Sequence, residues 1–310
     1  MALRGLLRLG ELRIRVTDMK AARQHYGQRM GLHEVMEDAE GLVYFKPWDE
    51  HDHHSLILRE ADEPGIDYFA FKVYDDATLT RLAPRIEAFG LPVDHIPARR
   101  YPKSGRRLEF TLPSGHTMQL YAEKECSGNT MGYHNPGTIP EEGVIRGFRV
   151  NRLDHILLGG PNIDECARLF MEVFDFDLSE RIEDAGSKVS LGVFLTCSTK
   201  PHDIAFQLQP EPNRFHHVSF WLESASDVVK AADLIGHYRI PVDVSVNRHG
   251  VTRGVTIYFF DPSGNRNETF SEGYVHYPDV PTLLWDTNEM GHLGFSHDNK
   301  MPKSFFEVLT

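Results

Sequence analysis

Two histidines and a glutamate, His155, His217 and Glu268, have the residue types to hold a metal ion, and an internal repeat singles them out. "LPSGHTMQLY" (112–121) and "DPSGNRNETF" (261–270) are one turn-and-strand phrase written twice. The offset that lays Pro113-Ser114-Gly115 on Pro262-Ser263-Gly264 also lays "LPVD" (91–94) on "IPVD" (240–243) and "DYFAFKV" (67–73) on "HHVSFWL" (216–222). Nearer the N-terminus the second copy holds extra residues, and "ELRIRVTD" (11–18) meets "HILLGGPN" (155–162). Three separated matches at one offset indicate two related modules. In this alignment His155, His217 and Glu268 face Glu11, Tyr68 and Gln119. Two imidazoles and one carboxylate form the set that binds non-haem Fe(II) on one side and leaves the opposite side open. The first copy offers only one of these ligand types in place, which predicts one working site and one scaffold copy.

His216 and His217 compete for one ligand role. Alternation along a strand places His216 with Val218, Phe220 and Leu222 on an apolar face, and His217 with Phe215, Ser219 and Trp221 on a cavity wall. His217 is therefore the expected ligand, with His216 a packing or supporting residue. His155 shares its face with Leu153 and Leu157, where an unpaired polar ring would be costly.

The elements that carry these residues repeat as well. In each copy a short strand (12–16; 153–158) leads to an N-cap candidate, Asp18 or Asn162. A helix with apolar residues at helical spacing follows: Met19, Ala22, Tyr26 and Met30, or Ile163, Ala167, Phe170 and Phe174. Strands are expected at 42–46, 54–59 and 67–73, and at 188–196, 203–209 and 216–222. A second helix follows (77–89; 226–237), and a final strand pair closes on the Pro-Ser-Gly turn. This is an α+β class with largely antiparallel sheets and helices on one face. The segments read as 1–147 (first module and linker), 148–275 (second module) and 276–310 (tail).

Composition sets the outer bounds. The chain has 310 residues, 41% apolar and 25% charged, and a net charge of −12. This suits a globular protein and argues against a nucleic-acid partner, which would need a basic surface. No apolar run is long enough to span a membrane and no signal-peptide core is visible, so a cytosolic protein is expected. Cys126, Cys166 and Cys197 lack CxxC spacing and are expected as buried free thiols. The 17 histidines raise the expectation of metal or proton chemistry only modestly. The cluster "HDHH" (51–54) lies in the scaffold copy and is expected at the surface. The aromatic tail is expected to fold over the open side of the second module or against a neighbouring subunit.

The stretch "HGVTRGVTIYFFDPSGNRNE" (249–268) resembles the signature of the extradiol ring-cleaving dioxygenases of the vicinal-oxygen-chelate superfamily. "GFRVNRLDHILL", "STKPHDIAF", "RFHHVSF" and the terminal "FFEVLT" extend the resemblance over the chain, towards the bacterial enzymes that open catechol. It implies tandem modules of paired βαβββ units with the metal site in the C-terminal one. It further implies Fe(II) held by His155, His217 and Glu268, with His202 as acid/base and His249 and Tyr258 as partners of the substrate hydroxyls. The implied substrates are a catechol, plain or alkyl- or chloro-substituted, and O2. The implied product is of the 2-hydroxymuconate semialdehyde type, and the implied assembly a homotetramer.

Two alternatives stay open at this point. One keeps the chemistry on a larger or carboxylated diol, with Trp221, Leu157 and Phe215 as candidate pocket walls; Arg266 is the one basic residue adjoining the ligand positions. The other is a glyoxalase-type isomerase or a metal-free binder. Isomerase sites usually draw ligands from both modules, whereas here all three fall in one.

Overall fold

A computed structural model describes residues 5–128 and 146–310. Most of the linker expected between the modules therefore lies outside the described residues. The first sheet comprises β1 (Leu6–Val16), β2 (His33–Glu37), β3 (Val43–Lys46), β4 (Leu56–Glu60), β5 (Gly65–Val73), β6 (Asp94–Ile96), β7 (Arg107–Thr111) and β8 (Thr117–Tyr121). The second comprises β9 (Arg152–Gly160), β10 (Asp177–Glu183), β11 (Ser190–Thr196), β12 (Ile204–Leu208), β13 (Arg214–Trp221), β14 (Val242–Arg248), β15 (Gly254–Phe260), β16 (Arg266–Glu272) and β17 (Leu283–Asp286). Helices α1 (Met19–Arg23, continuing as a π-turn over Gln24–Arg29), α2 (Asp76–Phe89), α3 (Ile163–Phe174) and α4 (Ala225–His237) follow the first and fifth strand of each module.

The strand orders, β2-β3-β4-β1-β5-β8-β7-β6 and β10-β11-β12-β9-β13-β16-β15-β14, are the same order twice, as two paired βαβββ units per module require. The tail strand β17 extends the second sheet by pairing parallel to β10. Most pairs are antiparallel, but β1 with β4, β5 with β8, β9 with β12 and β13 with β16 run parallel, because a helix-bearing crossover or a further strand joins each pair. The edge strands β2, β6, β14 and β17, together with β10, carry too weak an alternation to be read in advance.

Asp18 caps α1 through a bond from the Ala21 amide. Asn162 departs from expectation: it sits in the left-handed region with no cap bond, and its amide donates instead to the Pro113 carbonyl of the other module. Such contacts are reciprocal. The turn at Ser114 accepts from the Asn213 amide, while Ser263 and Asn265 bond the main chain at Thr17 and Arg15. Gly115 and Gly264 hold these turns at φ +87 and +94, a region open to glycine without strain. One apolar core runs through both modules, and Phe170 of α3 meets Phe71 of β5 together with Phe174, Phe176 and Phe206. Of the cysteines, Cys166 is buried, Cys197 half-buried and Cys126 exposed, so burial does not extend to all three.

Candidate metal centre

His155, His217 and Glu268 stand on the adjacent strands β9, β13 and β16, and their ligand atoms all lie within 4.8 Å of one another. Each is buried. His155 Nε2 is 2.8 Å and His217 Nε2 is 3.4 Å from Glu268 Oε2. The other oxygen, Oε1, accepts from the Thr256 hydroxyl on β15. His155 Nδ1 lies 2.7 Å from Asp154, whose carboxylate and carbonyl also hold Lys200. His217 Nδ1 lies 2.7 Å from His216 Nδ1.

Two bulges make this convergence possible. In the β9–β13 ladder the register shifts between Phe215 and His217 and again between Leu153 and His155. An extra residue at each place breaks the alternation and re-aims the side chains. Phe215 and Leu153 therefore turn into the main core, away from the faces expected from alternation. His216 likewise leaves the apolar face of Val218 and meets Arg266 and the tail at Phe305. Of the expected pocket walls only Leu157 lines the cavity; Trp221 stacks against Arg152 and Phe270.

The remaining sequence candidates gather at the same cavity, which His202, His249 and Tyr258 line together with the three ligand candidates. The His202 ring centroid lies 4.0 Å from that of His155 with the rings tilted by 51°, and its Nδ1 has no partner. The Tyr258 hydroxyl lies 2.8 Å from His249 Nε2. Apart from Gln207 and Thr252 the other walls are apolar, among them Phe194, Val251, Leu293 and Met301. No Lys or Arg lines it among the described residues; Arg266 points away, to Asp243 and the carbonyls of Ser304 and Val308. The tail strand and the short helices α5 (Met290–Gly294) and α6 (Ser304–Glu307) cover this side of the second module.

The electrostatics favour a cation at the centre. Burial alone would raise the Glu268 pKa, but the facing imidazoles, His155 foremost, hold it well below the usual carboxylate range. Burial depresses His155, yet Glu268 and Asp154 outweigh it and lift that ring to about 9. A proton on His155 thus neutralises the carboxylate. Glu268 Oε2 and His217 Nε2 are buried without a hydrogen-bond partner of good geometry. Buried unpaired polar atoms are costly, and two such atoms beside a third donor fit a divalent cation. Nitrogen and carboxylate donors suit a first-row transition ion.

The scaffold copy solves the same problem with covalently tethered cations. At the positions of His155, His217 and Glu268, the fully buried Glu11 accepts from the Tyr68 hydroxyl at 2.5 Å and from Arg107 at 2.7 and 2.9 Å, and Arg107 also bonds Gln119 at 2.8 Å. The Lys124 ammonium caps the other side of Glu11. Arg107 occupies the position of Thr256 in the other module. His54 stands where the second module has His202, and it is buried 3.2 Å from Glu11. The "HDHH" cluster is therefore not at the surface: Asp52 pairs with Arg8 and Lys72, and only His51 is exposed. Its partners come from distant strands, which local composition does not reveal. The same holds for Asp154, Lys200 and Thr256 around the ligand candidates; sequence reasoning passed over them, although Asp154 adjoins His155 and could have been found as its orienting carboxylate.

Comparison with known proteins agrees with this architecture. Residues 66–125 match the catechol 2,3-dioxygenase-like N-terminal domain, and residues 152–269 match the glyoxalase/bleomycin resistance protein/dioxygenase superfamily. A metapyrocatechase of Pseudomonas sp. (strain CF600) is 43% identical over 99% of this chain and 99% of its own length. The chain belongs to the extradiol catechol 2,3-dioxygenase family. A second metapyrocatechase of this family, from Geobacillus stearothermophilus, is 28% identical over 83% of this chain and 79% of its own. The crystal structure of the 2,3-dioxygenase LapB from Pseudomonas sp. KL28 superposes with a TM-score of 0.89, at 46% identity over 93% of this chain and 99% of that one. Homoprotocatechuate 2,3-dioxygenase from Arthrobacter globiformis shares the fold at a TM-score of 0.87 and 23% identity, over 100% of this chain and 94% of that one. Extradiol dioxygenases act through a catalytic metal on aromatic diols and O2. No helix among the described residues is long and apolar enough to cross a membrane.

Proposed function

We propose that the chain catalyses Fe(II)-dependent extradiol cleavage of catechol by O2, with His155, His217 and Glu268 holding the ion. The observation that carries this is the buried set of three ligand atoms within 4.8 Å, opening onto an apolar cavity that also holds His202, His249 and Tyr258. When bound, the ion supplies a centre at which both diol oxygens and O2 meet and at which the diol becomes more acidic. His202 would take a proton from the substrate and return it, a role worth about 10²–10⁴-fold in rate and supported by its unpartnered Nδ1. The Tyr258–His249 pair would orient one diol oxygen, with His249 acting through the Tyr258 hydroxyl that it bonds. The surrounding Leu157, Phe194, Val251 and Leu293 exclude water and place the ring.

An uncharged ring suits these walls. With no Lys or Arg lining the cavity among the described residues, catechol and alkyl- or chlorocatechols are favoured over carboxylated diols. Iron is assigned from the donor set; a relative named a manganese-dependent 2,3-dihydroxybiphenyl 1,2-dioxygenase is 27% identical, so reconstitution with each metal is part of the test. The deciding experiment adds Fe(II) anaerobically, mixes with catechol in oxygenated buffer, and follows oxygen uptake and the yellow ring-fission product. One O2 per catechol with yellow colour is expected; metal-loaded protein that consumes no oxygen with any diol would overturn the assignment. The proposal includes a cytosolic homotetramer, and light scattering at a dimer or monomer mass would remove that part.

A further inference from the structure

The tail reaches the site through its main chain as well as its side chains. The Gly294 carbonyl lies 2.6 Å from His249 Nδ1, and the Phe305 carbonyl lies 2.6 Å from His216 Nε2. A carbonyl only accepts, so the ring nitrogen that faces it must carry hydrogen. His249 is thereby Nδ1-protonated, which leaves Nε2 to accept from the Tyr258 hydroxyl. His216 is Nε2-protonated, and the Arg266 guanidinium, which can only donate, stands 3.3 Å from its Nδ1. Its Nδ1 is then an acceptor and must receive the Nδ1–H of His217. The chain of bonds leaves the His217 lone pair on Nε2, the atom that faces Glu268.

The tail is docked by bonds close to the same residues. Arg266 donates to the Ser304 and Val308 carbonyls, both at 3.0 Å. Thr310 and Phe215 exchange main-chain bonds of 2.7 and 3.0 Å, two residues from His217. Phe305 packs edge-on against both His216 and Tyr258.

We propose that the C-terminal segment is a positioning element of the metal centre: its Gly294 and Phe305 carbonyls fix the tautomers of His249 and, through His216, of His217, so that tail docking and metal binding strengthen one another. The proposal rests on the assignment of His217 as a ligand. A docked tail holds the His217 lone pair on Nε2, whereas an undocked tail leaves both tautomers open, so by linkage the ion must also favour the docked tail.

Zinc(II), a redox-silent ion, serves as the probe on the full-length apo protein, with affinity read by chelator competition. His216→Phe breaks the relay. His216→Gln keeps an N–H for the Phe305 carbonyl and an oxygen for the His217 Nδ1–H. Orienting partners of metal ligands are worth about 10–100-fold in affinity, so His216→Phe is expected to lose that much and His216→Gln to stay within about 3-fold of the parent. Amides 304–310 are expected to exchange more slowly on zinc addition in the parent, and to stop responding in His216→Phe. Nitrogen-15 spectra of the apo parent are expected to show His217 protonated at Nδ1. Protonation at Nε2, parental affinity in His216→Phe, or tail exchange that ignores zinc would each overturn the proposal. Should His216→Phe fail to fold, the parent's spectra and exchange decide alone. His217→Ala is the separate control: zinc retained there removes the ligand assignment itself, whereas zinc lost there while the parent's tail ignores zinc removes only the coupling.

Discussion

Replacing Arg107 by leucine isolates the ionic cluster that fills the scaffold module. Arg107 and Glu11 are both fully buried, joined by bonds of 2.7 and 2.9 Å, and the guanidinium also stacks 4.4 Å from the Tyr101 ring. Removing one partner of a buried pair strands the other and costs about 3–5 kcal/mol. Lys124 and Tyr68 remain on Glu11, which places the expected loss at the lower end, about 3 kcal/mol. With a urea slope of about 3 kcal/mol per molar, the midpoint falls by about 1 M. Denaturation is followed on metal-free protein, so that metal linkage does not add to the reading. The triple variant Glu11→Leu, Arg107→Leu, Lys124→Met, which removes every charge at once, is expected to recover most of the loss. Zinc affinity per folded molecule is expected to stay unchanged in both, because the ligand candidates sit in the other sheet. A midpoint shift under about 0.3 M, or zinc affinity that falls with stability intact, would refute the scaffold interpretation.

Glu268→Gln removes the charge of the proposed carboxylate ligand, and zinc affinity is expected to drop by more than about 100-fold with the far-UV spectrum unchanged; near-parental affinity would exclude Glu268 as a ligand. His202→Gln is expected to lower kcat by about 10²–10⁴ at unchanged metal content, and a change in metal content instead would make His202 a structural residue. Burial, aided by Arg29, depresses His25 to about 3, and burial depresses His116 to about 4, both at the junction of the modules. The unfolded chain therefore takes up protons near pH 6.5 that the folded chain refuses. Stability is full above that pH and falls towards pH 4 by up to about 1.4 kcal/mol per pH unit for each histidine. Urea midpoints that stay flat from pH 7 to 5 would contradict this. Phe170→Ala, in the aromatic cluster shared by both modules, is expected to cost about 3–5 kcal/mol in urea denaturation.

Residue identity made the ligand candidates legible, because duplication supplies an internal control: the copy with Glu11, Tyr68 and Gln119 shows which positions of the other are unusual. The Pro-Ser-Gly turns fixed the alignment since a positive φ restricts Gly115 and Gly264. Face assignment failed at Phe215, His216 and Leu153 because a bulge inserts one residue and inverts the alternation beyond it. Burial of His54 and Asp52 escaped notice because Glu11, Arg8 and Lys72 come from strands distant in sequence. Main-chain partners such as Phe305 and Gly294 carry no sequence signature, since any residue supplies a carbonyl.

The tethered cations of the first module make its history hard to reverse. For the first module to offer the same ligand set as the second, Glu11, Tyr68, Gln119, Arg107 and Lys124 would all have to change. Changing Glu11 alone strands the charges of Arg107 and Lys124 in the interior, and changing Arg107 alone weakens the compensation of Glu11, so such intermediates are less stable than the present cluster. The first module thus carries its counter-charges on its own side chains, so the shape of that half is independent of any ion supplied from outside.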